Sequence, residues 1–282
     1  VLAAVAATAL GGCSADVRRG FLPGYDDGQV TNMTERITTL WTGSWIAALA
    51  VGVLTWGLII WAVVVYRKRR DDETLPVQTR YHVPIEIMYV VLPIFMIGGL
   101  YFWTARDMAA IQDTSAEPDV TIEVVGKRWS WDFNYLDSNV WESGEHVQVP
   151  GDVKLGDPEL PTLYLPQGKR VELVLEARDV IHSFWVPAFL YKKDMIPGRT
   201  NTFQIVPERT GEYLGKCAEL CGEHHAGMLF QVEVVSPEEY EAHMKDLQDA
   251  GQTGRLGADL NPSDTAGKGA ATDEDEATGD QG

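Results

Sequence analysis

Between Arg36 and Arg67 the chain carries no charged side chain. In water a run of that length would have to be buried whole. In a bilayer, residues 45–66 alone cross ~30 Å of hydrocarbon. A second apolar segment, 84–104, holds one acid, Glu86, in its first turn. Its Pro93 and Gly98-Gly99 are tolerable in a spanning helix whose neighbours re-satisfy the backbone. Trp41, Trp45, Trp61 and Tyr66 flank the first span, as interfacial aromatics do. Residues 41–106 therefore read as a transmembrane helix hairpin. Its short loop, 67–83, opens on Arg67-Lys68-Arg69-Arg70 and also holds Arg80, which by the positive-inside tendency makes it cytoplasmic. The segment 13–40 and everything beyond about Arg106 are then expected outside the cell membrane, in a two-pass topology with both termini extracytoplasmic.

The start of the sequence agrees with that topology. Residues 1–10 are small and apolar and run into Leu10-Gly11-Gly12-Cys13. This reads as a lipoprotein-type signal peptide over 1–12, with the Cys13 thiol as the lipidation point. An ordinary signal peptide with an incidental cysteine is the competing reading.

After the hairpin the pattern changes to short β-rich runs at 120–125, 164–165, 170–176, 202–206, 211–215 and 228–235, punctuated by Gly and Pro. That pattern predicts an antiparallel sandwich of Greek-key type over 117–235. A polar stretch at 137–160 reads as an extended surface loop. Residues 236–248 form a terminal helix with Ser236 as its cap. The remainder, 249–282, has almost no bulky apolar residue and reads as a disordered acidic tail. Charge is unevenly placed: residues 117–282 hold 31 acidic and 14 basic side chains, within a chain of net charge −18. Such a surface repels nucleic acid and favours a basic partner steered in by its field.

The densest chemistry is Cys217-Ala-Glu219-Leu-Cys221-Gly-Glu-His224-His225-Ala-Gly-Met228, joined by His182 from the segment Asp179-Val-Ile-His182-Ser. Thiolate, thioether and imidazole together select copper. Two sulfurs that can each bridge, two imidazoles, the Met228 thioether and a backbone carbonyl near Glu219 make a full set for two metal ions. Zinc would leave Met228 idle, and a Cys217–Cys221 disulfide would leave both imidazoles idle. Ligand chemistry alone favours two coppers and leaves the other two readings open.

These residues resemble those of subunit II of the haem–copper cytochrome c oxidases, in an actinobacterial, lipoprotein-like form. The resemblance runs over about residues 30–245. It rests on the C-x-E-x-C-x₃-H-x₂-M run, the upstream D-V-x-H-S and the order of helix hairpin, aromatic stretch, His segment and Cys loop. It implies a cupredoxin-like domain in which His182, Cys217, Glu219 (through its backbone carbonyl), Cys221, His225 and Met228 hold the CuA centre. That centre would accept electrons from cytochrome c and pass them to haem a of subunit I, for reduction of oxygen to water coupled to proton pumping. The resemblance further implies that the Glu219 side chain reaches a magnesium or manganese ion shared with subunit I, where haem a and CuB reside. Trp129 would be where electrons arrive at the surface, and Glu86 would stand at the mouth of a proton pathway. Partners would be oxidase subunits I and III, the lipid bilayer, and cytochrome c or a membrane-bound cytochrome c domain of a bc-type complex, which the 137–160 loop could dock. Trp131 reads as core, Asp179 as a residue that orients His182 or faces the cytochrome, and His82, His146, His224 and His243 as unremarkable. A quinol oxidase subunit would lack the cysteines and histidines. Nitrous oxide reductase would lack the two-helix anchor. A membrane-tethered copper carrier or oxidase assembly factor is the alternative from another class.

Overall fold

The computed structural model describes residues 14–23, 29–68, 75–145 and 160–261. Cys13, Arg69-Arg70, His146 with most of the 137–160 loop, and the tail beyond 261 lie outside the described residues. The chain forms two units.

The first unit contains α1 (Thr34–Val65) and α2 (Val83–Ile111). Both are longer than the spans expected from the apolar runs, because polar turns extend them beyond the hydrocarbon-length segments. At 1.5 Å rise per residue α1 is about 48 Å long. Their apolar side chains are exposed on every side, Leu54, Ile59, Val64, Ile94 and Phe95 among them. Helices with that surface are dissolved by lipid, not water. Backbone polarity is handled internally: the hydroxyls of Thr42, Ser44 and Thr104 donate to carbonyls one turn back, at 2.7–2.8 Å. Arg36 of α1 and Asp107 of α2 form an ion pair at 2.8 Å, and Asp107 also accepts from Arg106.

The second unit is a sandwich of two five-stranded sheets, β3-β2-β1-β5-β8 and β4-β10-β9-β6-β7. The strands of the first are β1 (Val120–Lys127), β2 (Ser130–Tyr135), β3 (Val140–Ser143), β5 (Val171–Ala177) and β8 (Asn201–Ile205). Those of the second are β4 (Thr162–Pro166), β6 (His182–Val186), β7 (Tyr191–Met195), β9 (Gly211–Cys217) and β10 (Leu229–Val235). The inward faces meet in an aromatic core. Phe184 stacks on Phe230 with ring centroids 5.0 Å apart, and Trp131 lies 4.8 Å from Phe230. Each such ring fully buried contributes roughly 1.5–3 kcal/mol. Gly215 faces this core, and a Cβ there would lie 2.2 Å from the Phe230 ring, so no larger residue fits. Helix α3 (Pro237–Asp249) starts on a capping box formed by Ser236 and Glu239 and buries Tyr240, Met244 and Leu247.

Three expectations need correction. The sandwich is mixed and not wholly antiparallel: β1 pairs with β5, and β4 with β10, in parallel. Alternation of side chains reports which face is buried but not strand direction, so these crossovers left no trace in the pattern. Residues 140–143, assigned to a loop, form an edge strand on β2. Residues 250–261, assigned to a disordered tail, form an ordered strap across the first sheet. Gln252 accepts from the Trp141 amide at 3.0 Å, Gly254 donates to Asn139 at 2.8 Å, and the Leu256 amide donates to the Asn134 side chain at 2.8 Å. The strap is held by polarity and not by apolar burial: Arg255 forms two bonds to Glu123, and Asn261 donates to the same carboxylate.

Glu123 is fully buried on β1. Removing one partner from a buried pair leaves an uncompensated charge. Arg255→Met is therefore expected to lower the stability of the sandwich by about 3 kcal/mol, at the low end for buried pairs because Arg255 is about a third exposed. Urea unfolding followed by tryptophan fluorescence measures it, and an unchanged midpoint would contradict this account of the strap.

Candidate metal centre

The centre is assembled at one end of the second sheet. His182 is the first residue of β6, Cys217 the last of β9, and Met228 directly precedes β10. The loop between Cys217 and Met228 is cinched at its base, where the Cys217 amide donates to the Met228 carbonyl at 3.0 Å. The Ala218 amide donates to Ser183 at 3.0 Å, tying the loop to the strand that carries His182.

Within this frame the donors converge. The sulfurs of Cys217 and Cys221 are 3.9 Å apart. Cys217 Sγ lies 3.9 Å from His182 Nδ1 and 3.1 Å from the Glu219 carbonyl oxygen. Cys221 Sγ lies 3.5 Å from His225 Nδ1 and 3.6 Å from Met228 Sδ. His182, Cys217, Cys221 and Met228 are all buried. A disulfide needs sulfurs about 2.05 Å apart, and both thiols are free. An ion about 2.3 Å from each sulfur fits between them. Six donors exceed what one tetrahedral ion uses, whereas two ions sharing both sulfurs use all six. The donor set fits two coppers better than one zinc.

The surroundings set the orientation and protonation of these groups. His182 Nε2 is bound to Asp179 at 2.8 Å, which leaves Nδ1 facing the sulfurs. Burial lowers the pKa of His182 against the opposing pull of Asp179, so the imidazole is neutral and its Nδ1 lone pair is available. Burial works to raise Asp179, but hydrogen bonds from the Arg128 amide, His182 and the Val180 amide outweigh it and hold the carboxyl below its usual range. Gly126 forms the floor under the His182 ring, where a Cβ would lie 3.1 Å from ring atoms. Burial, together with the neighbouring Cys217 sulfur, pushes the Cys221 thiol up to about 12.

Trp129 is half-buried beside the loop, its Nε1 donating to the Cys221 carbonyl at 3.2 Å. Its ring meets the edge of His224 at 4.7 Å, a contact that the sequence reading, which set His224 aside, did not foresee. The adjacency of His224 to His225 was the available signal. Trp131 is fully buried and donates to the Met228 carbonyl at 3.4 Å. The Glu219 residue is exposed while its carbonyl points at Cys217. Glu86 belongs to the other unit, where its carboxylate accepts from the His82 amide at 2.8 Å and caps the start of α2.

Comparison with known proteins gives a consistent set of matches. The family profile "Cytochrome C oxidase subunit II, periplasmic domain" matches residues 120–235. A probable cytochrome c oxidase subunit 2 from Streptomyces avermitilis is 47% identical over 258 residues, covering 82% of this chain and 81% of that protein. A similarly named protein from Nocardia farcinica is 36% identical, covering 88% of this chain and 80% of its own length. Among solved structures, the periplasmic domain of subunit II of the Bradyrhizobium japonicum cytochrome oxidase is 31% identical, with a TM-score of 0.43, and covers 48% of this chain and 97% of that one.

With its pKa near 12, Cys221 is protonated at neutral pH, so any metal bound there must displace that proton. His182 is neutral and gives up none. Metal affinity, measured by chelator competition between about pH 7 and 8, is expected to rise at least tenfold per unit. A pH-independent affinity would show that Cys221 sulfur is not a ligand.

Proposed function

Because the chain belongs to the cytochrome c oxidase subunit II family, we propose that His182, Cys217, Cys221, His225, Met228 and the Glu219 carbonyl hold a two-copper centre that relays electrons from cytochrome c to haem a of subunit I. The observation that carries this reading is the convergence of two sulfurs 3.9 Å apart with two imidazoles, a thioether and a backbone carbonyl. Copper bound there supplies a one-electron carrier whose charge is shared across the sulfurs.

The chain's own residues do the rest. The cinched loop ties both sulfurs to the sheet, so little rearrangement accompanies a change of charge. Asp179 and Gly126 fix the rotation of His182. Trp131, Phe184 and Met228 keep water from the inner side of the site. Trp129 joins the surface to the Cys221 backbone by one hydrogen bond, a short route for an incoming electron. The acidic outer surface steers a basic cytochrome toward it, with a rate that falls as salt rises. The exposed Glu219 carboxylate is a hard donor suited to magnesium or manganese at a boundary with subunit I.

The same reading extends to the membrane. The hairpin crosses the cell membrane twice with its basic loop inside, so both termini are extracytoplasmic, and Cys13 is the point of lipid attachment. Glu86, at the inner end of α2, serves the mouth of a proton pathway. Its capping of the helix leaves the carboxylate at the level of that loop. Oxygen reduction and proton pumping belong to the assembled complex with subunits I and III, to which this chain contributes the electron inlet.

The test is spectroscopic. The copper-loaded protein is expected to show the many-line hyperfine pattern of one unpaired electron shared by two copper nuclei. An EPR-silent single Cu(I) would instead favour a membrane-tethered copper carrier. Cys217→Ser and Cys221→Ser are each expected to abolish the signal and oxidation of cytochrome c by the complex. Trp129→Phe is expected to leave copper content unchanged while slowing oxidation of cytochrome c by at least tenfold, about 1.4 kcal/mol in barrier.

A further inference from the structure

The helix hairpin carries a groove of about 540 Å³ that the electron relay does not use. Leu40, Gly43 and Ala47 line it from α1, and Leu100, Trp103 and Arg106 from α2. The volume falls in the range of ligand pockets, and its walls are almost wholly apolar except at one end. There Arg36 and Arg106 converge on the buried Asp107 at 2.8 and 2.9 Å.

The charge at that end does not balance. Asp107 neutralises one guanidinium, leaving a net charge of about +1 from the three groups, and both arginines remain two-fifths to half exposed. Asp107 Oδ1 accepts from one nitrogen of Arg36 and two of Arg106, fewer donors than two guanidinium groups offer. Arg106 is further fixed by lying over the Trp103 ring at 4.3 Å. Trp41 donates to the Gly20 carbonyl at 2.9 Å, which brings the Arg18-Arg19 turn to the same end of the hairpin.

The groove lies at the end of the hairpin away from its connecting loop. On α2, Met96, Leu100 and Trp103 fall within the apolar segment 84–104 and Arg106 lies two residues beyond it; on α1, Leu40, Gly43 and Ala47 straddle the start of the span 45–66. The arginines therefore stand at or above headgroup level, with the apolar walls running from there into the hydrocarbon.

We propose that this groove holds a single anionic phospholipid, one acyl chain lying along Gly43 and Ala47 and its phosphate taken by Arg36 and Arg106. A membrane helix of another subunit could fill apolar walls, but the surplus cationic charge at the headgroup end selects a phosphate.

The experiment uses the assembled oxidase complex, delipidated in detergent, supplied with phosphatidylglycerol and weighed by native mass spectrometry. Phosphatidylcholine serves as the zwitterionic comparison. The wild type is expected to retain phosphatidylglycerol in preference to phosphatidylcholine. Gly43→Leu is expected to lose one bound phospholipid, because a Cβ at Gly43 meets nothing within 4 Å and a larger side chain grows into the groove without a clash. Arg106→Gln is expected to lose the preference for phosphatidylglycerol, and Arg106→Lys to keep it. Identical lipid retention in the wild type and Gly43→Leu would overturn the proposal. So would a photo-crosslinker at Ala47 that captures a neighbouring subunit and no lipid. Recovery of each variant in the assembled complex serves as the folding control, and copper content is read separately, so failure here is distinguishable from failure of the electron-relay reading.

Discussion

Two buried sulfurs four residues apart can carry charge only if something compensates it. Burial and the second sulfur both oppose charge on Cys221, and a cation bound there is what would reverse that preference. The remainder of the outer domain can be understood as the frame this arrangement requires. The Cys217–Met228 hydrogen bond shuts the loop, Ala218–Ser183 registers it on β6, and the Trp131–Met228 bond anchors its far end in the core. Without that frame the sulfurs would gain freedom to separate or to close into a disulfide. The scaffold's chemical contribution is to fix a sulfur separation that suits shared coordination.

The same frame reaches the opposite sheet. Gly126 of β1 lies under the His182 ring, and its carbonyl accepts from the Arg178 amide at 2.9 Å. Arg178 pairs with Asp132 on β2 at 3.1 Å, and Asp132 also takes Lys127 at 2.5 Å. Next along β1, Glu123 is bound by Arg255 and Asn261 of the strap. The outer face of the first sheet is thus closed by charged and amide groups at full burial, where most sandwiches would meet water. Networks of this kind add rigidity only when each member is satisfied. Here the strap supplies partners for Glu123 and Asn134, which makes it part of the support under His182.

How much of this was legible in the sequence depended on which signals are local. The hairpin announced itself through absent charge, and the Cys loop through spacing, since Cys217, Cys221, His225 and Met228 fall within one short segment. Membership of His182 in the same site could be read only from its motif, because nothing local says that β6 lies beside β9. Strand β2 was missed because its alternation is polar against apolar with both faces buried: Trp131, Phe133 and Tyr135 face the core, while Asp132 and Asn134 face the strap. The strap was misread for the complementary reason. A segment anchored by Arg255, Asn261 and backbone amides has the composition of a disordered tail, and its partner Glu123 lies more than a hundred residues upstream. Composition records apolar burial well and long-range polar satisfaction poorly.

The two units solve opposite solvent problems with the same residue types. In the sandwich, Arg255 and Arg178 neutralise acids that apolar packing has cut off from water. In the hairpin, Arg36 and Arg106 crowd a single aspartate at the end of helices that lipid surrounds. The difference lies in the balance. Around Glu123 the positive and negative groups match, and the cluster is closed by the chain itself. Around Asp107 the arginines exceed the acid, and the excess opens onto a groove with apolar walls. Asp132 in the sandwich is also paired with two cations, Lys127 and Arg178, but those are mostly buried, whereas Arg36 and Arg106 stay two-fifths to half exposed beside the groove. The surplus at Asp107 is better understood as part of a site completed from outside the chain, as we propose for the buried sulfurs of the sandwich.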